Sequence, residues 1–115
     1  MPTLSTHVLN SVDGTHAAGV KVQCVGFDAA GSRQVLFEGS TDEGGRLTAE
    51  LDVPGTGLSN FVLEFHTGAY FAANGLAGDA LVRSVQFAVR LQPGDARHHL
   101  PVIAGPHGCS AWWSP

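Results

Sequence analysis

A chain of 115 residues has room for one domain and one hydrophobic core, and not for two. Its six Lys and Arg are scattered under a formal net charge of −4, which excludes a basic stripe of the kind that neutralises nucleic-acid phosphates. Charged residues make up only 14% of the chain, so either apolar surface is left to be buried in an oligomer, or Gly, Thr and Ser replace charge on an all-β surface.

From the N-terminus, residues 4–10 read as a short alternating strand that runs into an Asp13-Gly14 turn. Val20, Val22 and Cys24 alternate with Lys21 and Gln23, the period-2 mark of a half-buried strand, and make Cys24 a buried thiol. Asp28–Ser32, with Gly31, reads as a hairpin loop into a second run over Gln34–Ser40. Asp42-Glu43-Gly44-Gly45 is a strong turn, and Arg46–Val53 then alternates until Pro54-Gly55-Thr56-Gly57 breaks it. Phe61, Leu63 and Phe65 alternate with Val62, Glu64 and His66, and Val85, Phe87, Val89 and Leu91 with Gln86, Ala88 and Arg90. Between these runs Thr67–Leu81 is rich in Ala and Gly, and predicts a short helix around Tyr70–Asn74 with Thr67 as its N-cap. A last run, Arg97–Ala104, precedes Gly105-Pro106-His107-Gly108 and a tail ending Trp112-Trp113-Ser114-Pro115.

Seven or eight short strands with regular turns predict an antiparallel β-sandwich, a single domain over residues 1–115. No run is long enough to span a bilayer, and the first seven residues lack the basic and apolar regions of a signal peptide. A cytoplasmic setting is the expectation, in which a Cys24–Cys109 disulfide is uncommon.

Six histidines are the obvious candidates for chemistry, and strand parity separates them. His7 lies opposite Leu4, Thr6 and Val8; Arg46 lies opposite Leu47, Ala49 and Leu51; His99 lies opposite Leu100 and Val102. That parity lets the three converge on one concave or interfacial surface, although each alone would equally serve as a solvated polar residue. Together they suit hydrolysis: a neutral imidazole takes a proton from water, a second donates or orients, and a guanidinium holds an anionic oxygen. Adjacent His98 and His99 diverge on a strand, and no His-x-x-x-His or Cys-x-x-Cys spacing occurs, so no metal site is predicted. No Gly-x-Ser-x-Gly elbow is present, and the glycines at 44, 45, 55 and 57 form turns, not a phosphate loop. His16, His66 and His107 read as loop or strand-end residues without a task.

Leu4-Ser5-Thr6-His7-Val8-Leu9-Asn10 resembles the Leu-Ser-Thr-His-Val-Leu-Asp opening of the 5-hydroxyisourate hydrolases, the enzymatic branch of the transthyretin-like family. Ala18-Gly19-Val20 follows in place, and Thr41-Asp42-Glu43-Gly44-Gly45-Arg46 is similar to the family's Thr-x-x-x-Gly-Arg turn. Phe65-His66-Thr67-Gly68-Ala69-Tyr70-Phe71 resembles the segment leading into the family's helix. Arg97-His98-His99-Leu100-Pro101-Val102 resembles its His-Tyr-His-Val-Pro block, and Gly105-Pro106-His107-Gly108 the Ser-Pro-Tyr-Gly that follows. The resemblance implies a transthyretin-like sandwich of two four-stranded sheets with one short helix. It also implies a homotetramer, a dimer of dimers, with sites in a channel between dimers. It places His7, Arg46 and His99 in the catalytic set and His98 at a substrate-binding position, and it implies no cofactor. The implied reaction opens 5-hydroxyisourate, a cyclic ureide of purine catabolism, by adding water at a ring carbonyl.

Two departures bear on the substrate. The family's cationic Tyr-Arg-Gly-Ser end is replaced by Trp112-Trp113-Ser114-Pro115, and its aromatic-Pro-Glu-Val run by Leu81-Val82-Arg83-Ser84-Val85. Exchanging Arg for indoles removes an anion clamp and adds apolar bulk, which makes Trp112 and Trp113 candidate substrate-binding residues. Three functions follow: a 5-hydroxyisourate hydrolase; a related cyclase or hydrolase in specialised metabolism, acting on a larger or more apolar ring; and a carrier of an aromatic ligand. Both histidines are retained, which speaks against the carrier, since the plasma carriers lack them.

Overall fold

Leu4, Thr6, Val8 and Asn10 are buried while Thr3, Ser5, His7 and Leu9 between them are only half-buried, so the first run forms a strand with one face on the core. The computed structural model describes residues 1–53, 57–76, 80–92 and 94–114. The Pro54-Gly55-Thr56 break, part of the Ala/Gly-rich stretch and Pro115 lie outside the described residues. The strands are β1 (Thr3–Asn10), β2 (Lys21–Asp28), β3 (Arg33–Ser40), β4 (Arg46–Glu50), β5 (Leu58–Phe65), β6 (Val85–Val89), β7 (Arg97–Gly105) and β8 (Gly108–Ala111), with helix α1 (Thr67–Ala73) between β5 and β6.

Two four-stranded sheets face each other, ordered β4-β1-β7-β8 and β3-β2-β5-β6. The predicted sandwich is therefore present, and among the described residues its strand pairs are antiparallel except one: β1 and β7 run parallel, from Thr3 opposite Arg97 to Asn10 opposite Ala104. Val8 and Val102 from one sheet meet Val22, Cys24 and Phe65 from the other, all essentially without solvent contact. Phe71 of α1 closes one end of this core. Replacing Phe65 or Phe71 with Ala would cost about 3–5 kcal/mol on the usual cost of a buried aromatic. Polar groups in the core are paired: Thr6 Oγ1 donates to the Leu100 carbonyl at 2.7 Å, and Asn10 Nδ2 to the Tyr70 hydroxyl at 3.2 Å.

Several boundaries differ from the sequence expectation. Alternation over Arg46–Val53 becomes strand only to Glu50, because the partner β1 starts at Thr3 and the ladder runs out. The β6 strand stops at Val89, opposite Phe61, although β5 itself extends back to Leu58. The helix begins at Thr67, and the position before it is His66, whose side chain makes no capping bond. Thr67 is thus not the N-cap; it is buried in the first turn, and the Gly68 N–H is satisfied by the Arg83 carbonyl at 2.9 Å. Both cysteines are free: Cys24 is buried, its thiol pushed up to about 11 by burial, and Cys109 lies exposed on β8. Among the described residues no helix is long and apolar enough to cross a membrane.

Candidate active site

The outward face of the β4-β1-β7-β8 sheet gathers the polar residues that strand parity sets apart. One cross-strand row runs from Arg46 on β4 to His7 on β1 and Pro101 on β7. Trp112 extends it, since its N–H donates to the Pro101 carbonyl at 3.3 Å, in step with the pairing of Val102 and Ala111. The neighbouring row holds Thr48, Ser5 and His99. With strands about 4.8 Å apart, Arg46 is one strand from His7, and Trp112 is two strands away, roughly 10 Å.

The Asp42 turn aims Arg46. Asp42 Oδ1 accepts the Gly44 and Arg46 N–H groups, both at 2.9 Å, and its carbonyl accepts the Gly45 N–H at 2.9 Å. Gly45, at φ +72°, then passes its carbonyl to the Val8 N–H at 2.8 Å. A Cβ there would lie 2.5 Å from the Val8 carbonyl oxygen and 3.2 Å from the Ala17 nitrogen, so only glycine lets these three segments meet.

His7 is half-buried, and its ring is held below the usual imidazole range, first by burial and then by Arg46, with His16 and His99 adding to the effect. The Gly44 backbone opposes them. A ring kept neutral near pH 7 is fit to accept a proton. His99 is exposed, with Nδ1 held by the Ser5 hydroxyl at 2.8 Å. Ser5 is also 3.4 Å from the His98 carbonyl; when its hydroxyl donates there it accepts from His99 Nδ1–H, and His99 Nε2 then keeps its lone pair.

Of the six candidates, the structure brings His7, Arg46 and His99 onto one face, with Trp112 in the same row. His98 is not among them: it lies on the other side of β7, level with Leu4, and its Nε2 accepts the Gln92 N–H at 3.1 Å, pinning the approach to β7. Trp113 is 70% exposed beyond β8.

Two residues without a sequence assignment join the face. Ser5 is one; its presence in the alternating run is visible, its bond to a residue 94 positions away is not. The other is His16, whose Nδ1 sits 2.9 Å from His7 Nε2, with ring centroids 5.0 Å apart. His66 lies just past β5, at the start of α1, with Nε2 3.1 Å from Glu64 Oε1, and His107 is exposed in the β7–β8 turn. Among the described residues no three His, Cys, Asp or Glu side chains are grouped to hold a metal ion.

The sequence profile of the HIUase/Transthyretin family matches residues 4–113. The 5-hydroxyisourate hydrolase of Caulobacter vibrioides is 34% identical, over 97% of each chain. The solved structure of Klebsiella pneumoniae 5-hydroxyisourate hydrolase superposes with a TM-score of 0.77 at 29% identity, covering all of both chains. Sea bream transthyretin, solved in complex with thyroxine, shares the fold with a TM-score of 0.81 at 21% identity, over 96% of this chain and 93% of that one.

Proposed function

The chain belongs to the HIUase/transthyretin family, and from that membership and the His7–Arg46–His99 face we propose that it hydrolyses 5-hydroxyisourate. It is a hydrolase acting on a cyclic ureide. Water adds to a ring carbonyl carbon, the new C–O bond forms, and the ring C–N bond breaks. His7 and His99 divide the proton work between them, one taking the proton of water and the other returning a proton to the leaving nitrogen. Arg46, beside His7, holds the oxygen on which negative charge builds. General acid–base help of this kind is worth roughly 10²–10⁴ in rate, which suits a substrate that already opens spontaneously.

The observation that carries this reading is the single outward face: two imidazoles and a guanidinium on adjacent strands, one imidazole held neutral and the other held by Ser5. The reading extends to a homotetramer, a dimer of dimers working in the cytoplasm. Trp112, 49% exposed in the His7 row, supports that assembly, since a second copy over this face would cover it and exclude water. A spectrophotometric assay with freshly generated 5-hydroxyisourate tests the activity. Micromolar enzyme accelerates ring opening; decay no faster than the spontaneous reaction would overturn the proposal.

Trp112 favours a second reading. An indole in the His7 row offers an apolar platform in place of a charged tail, as a larger or less anionic ring substrate in specialised metabolism would need. If 5-hydroxyisourate is not turned over, loss of activity on such a ring in both His7→Ala and His99→Ala would establish this reading.

A further inference from the structure

His16 reaches His7 by a route that the strands alone do not provide. The edge of β1 is paired with β4 only as far as His7 and Arg46. Beyond that, the chain leaving β1 folds back on itself: the Gly14 N–H donates to the Asn10 carbonyl and the Asn10 N–H to the Thr15 carbonyl, both at 2.8 Å. The Asp13 carboxylate ties the loop by accepting the Thr15 N–H at 3.0 Å and hydroxyl at 2.6 Å. An isolated antiparallel bridge then sets His16 opposite Leu9, and the Ala17 N–H donates to the Val8 carbonyl at 2.9 Å. His16 is thereby a diagonal neighbour of His7 on the same outward face, and Gly45 is the joint between this returning loop and β4. Arg46 and His16 thus share the β4 edge of β1, Arg46 directly across from His7 and His16 two residues further along.

We propose that His16 is a positioning residue of this site, acting through His7 by holding its ring and sharing one proton with it. The contact is between ring nitrogens, Nε2 of His7 and Nδ1 of His16, 2.9 Å apart. Two nitrogens at that distance accommodate one hydrogen between them. If both carried one, two N–H donors would face each other with no acceptor, and with both rings doubly protonated two positive charges would also stack. A hydrogen on His7 Nε2 therefore requires His16 Nδ1 to accept from it rather than donate to it. The groups facing His7 are Arg46 from β4, His16 from the returning loop, His99 from β7 and the Gly44 backbone from the turn before β4. His16 is the one among these that bonds the His7 ring nitrogen while also able to carry a proton outward, being exposed itself.

The kinetic consequences rest on the hydrolase reading; the titration does not. In His16→Ala, kcat falls roughly two- to tenfold, the worth of one hydrogen bond of about 0.5–1.5 kcal/mol, while KM changes little. The acid limb of kcat/KM moves to higher pH as His7 gains freedom to protonate. His16→Asn, which can still hold the ring but carries no charge, restores kcat more than it restores the limb. Independently of any substrate, NMR titration of the His7 ring in the full chain shows its protonation moving to higher pH in both variants. An unchanged His7 titration in His16→Ala and His16→Asn overturns the inference even if hydrolysis is confirmed. Absence of hydrolysis in the unmodified protein overturns the functional reading and leaves the titration to decide this one.

Discussion

Gly45→Ala is expected to damage both the fold and the site, and the size of the effect can be built from its neighbours. Gly45 sits at φ +72°, where an L-residue costs about 1–2 kcal/mol. Gly31 supplies the control: its φ is +82° and a Cβ there would meet nothing within 4 Å, so Gly31→Ala bears the backbone cost alone. At Gly45 the new Cβ would lie 2.5 Å from the Val8 oxygen and 3.2 Å from the Ala17 nitrogen, the two ends of one backbone hydrogen bond, beside a second from the Val8 N–H to the Gly45 carbonyl. Prising these segments apart weakens the bonds from the Val8 N–H to Gly45 and from the Ala17 N–H to Val8, each worth about 0.5–1.5 kcal/mol net. The sum is on the order of 2–5 kcal/mol, a fall in Tm of roughly 8–20 °C for a chain of this size. Denaturant and thermal unfolding at one fixed protein concentration measure it, since an oligomer's stability depends on concentration. Costs for Gly45→Ala and Gly31→Ala within about 0.5 kcal/mol of each other, the usual scatter of a neutral substitution, would refute the contribution of the Val8 and Ala17 contacts.

Ser5→Ala frees His99 Nδ1 and should lower kcat roughly two- to tenfold with the fold intact, checked by steady-state kinetics beside circular dichroism. Arg46→Gln removes a positive charge beside His7, so an NMR titration should find that ring protonating closer to 6.5. Folded His7 binds fewer protons than unfolded His7 just below pH 6.5, so this ring costs the fold stability as pH falls through that window, and the cost shrinks in Arg46→Gln. Thr41→Val should cost about 2–3 kcal/mol in chemical unfolding, because its buried hydroxyl donates to the Ala17 carbonyl at 2.6 Å and accepts the Val20 N–H at 2.9 Å.

Parity made much of this molecule legible before any coordinates. The alternation around His7, Arg46 and His99 puts each on the outward face, because period-2 strands leave no other choice. The same rule separates His98 from His99, yet resemblance drew His98 toward the substrate, and the structure ties it to Gln92 instead. β8 escaped a sequence reading since Gly-Cys-Ser-Ala has no apolar alternation; its pairing with β7 makes it a strand. His16 was illegible for a related reason. It belongs to no strand and owes its position to a folded-back loop and to a glycine that lies 29 residues further on. Thr67 followed a sound capping rule, but the Arg83 carbonyl supplies the bond from outside the helix.

The single parallel pairing also dictates when the site comes into being. β7 is made long after β1, so Ser5 and His99 must meet across 94 residues. Closing a loop of that length costs about 4 kcal/mol of chain entropy before the contacts it brings together give any return. Such long-range closure belongs late in folding and slows it. In a refolding experiment the β2–β3 and β7–β8 hairpins can form from local pairings, whereas catalytic competence should rise only with the slow phase that docks β7 beside β1. A truncated chain lacking β7 would lose the histidine partner and the middle of its sheet together, so partial synthesis yields no partial enzyme.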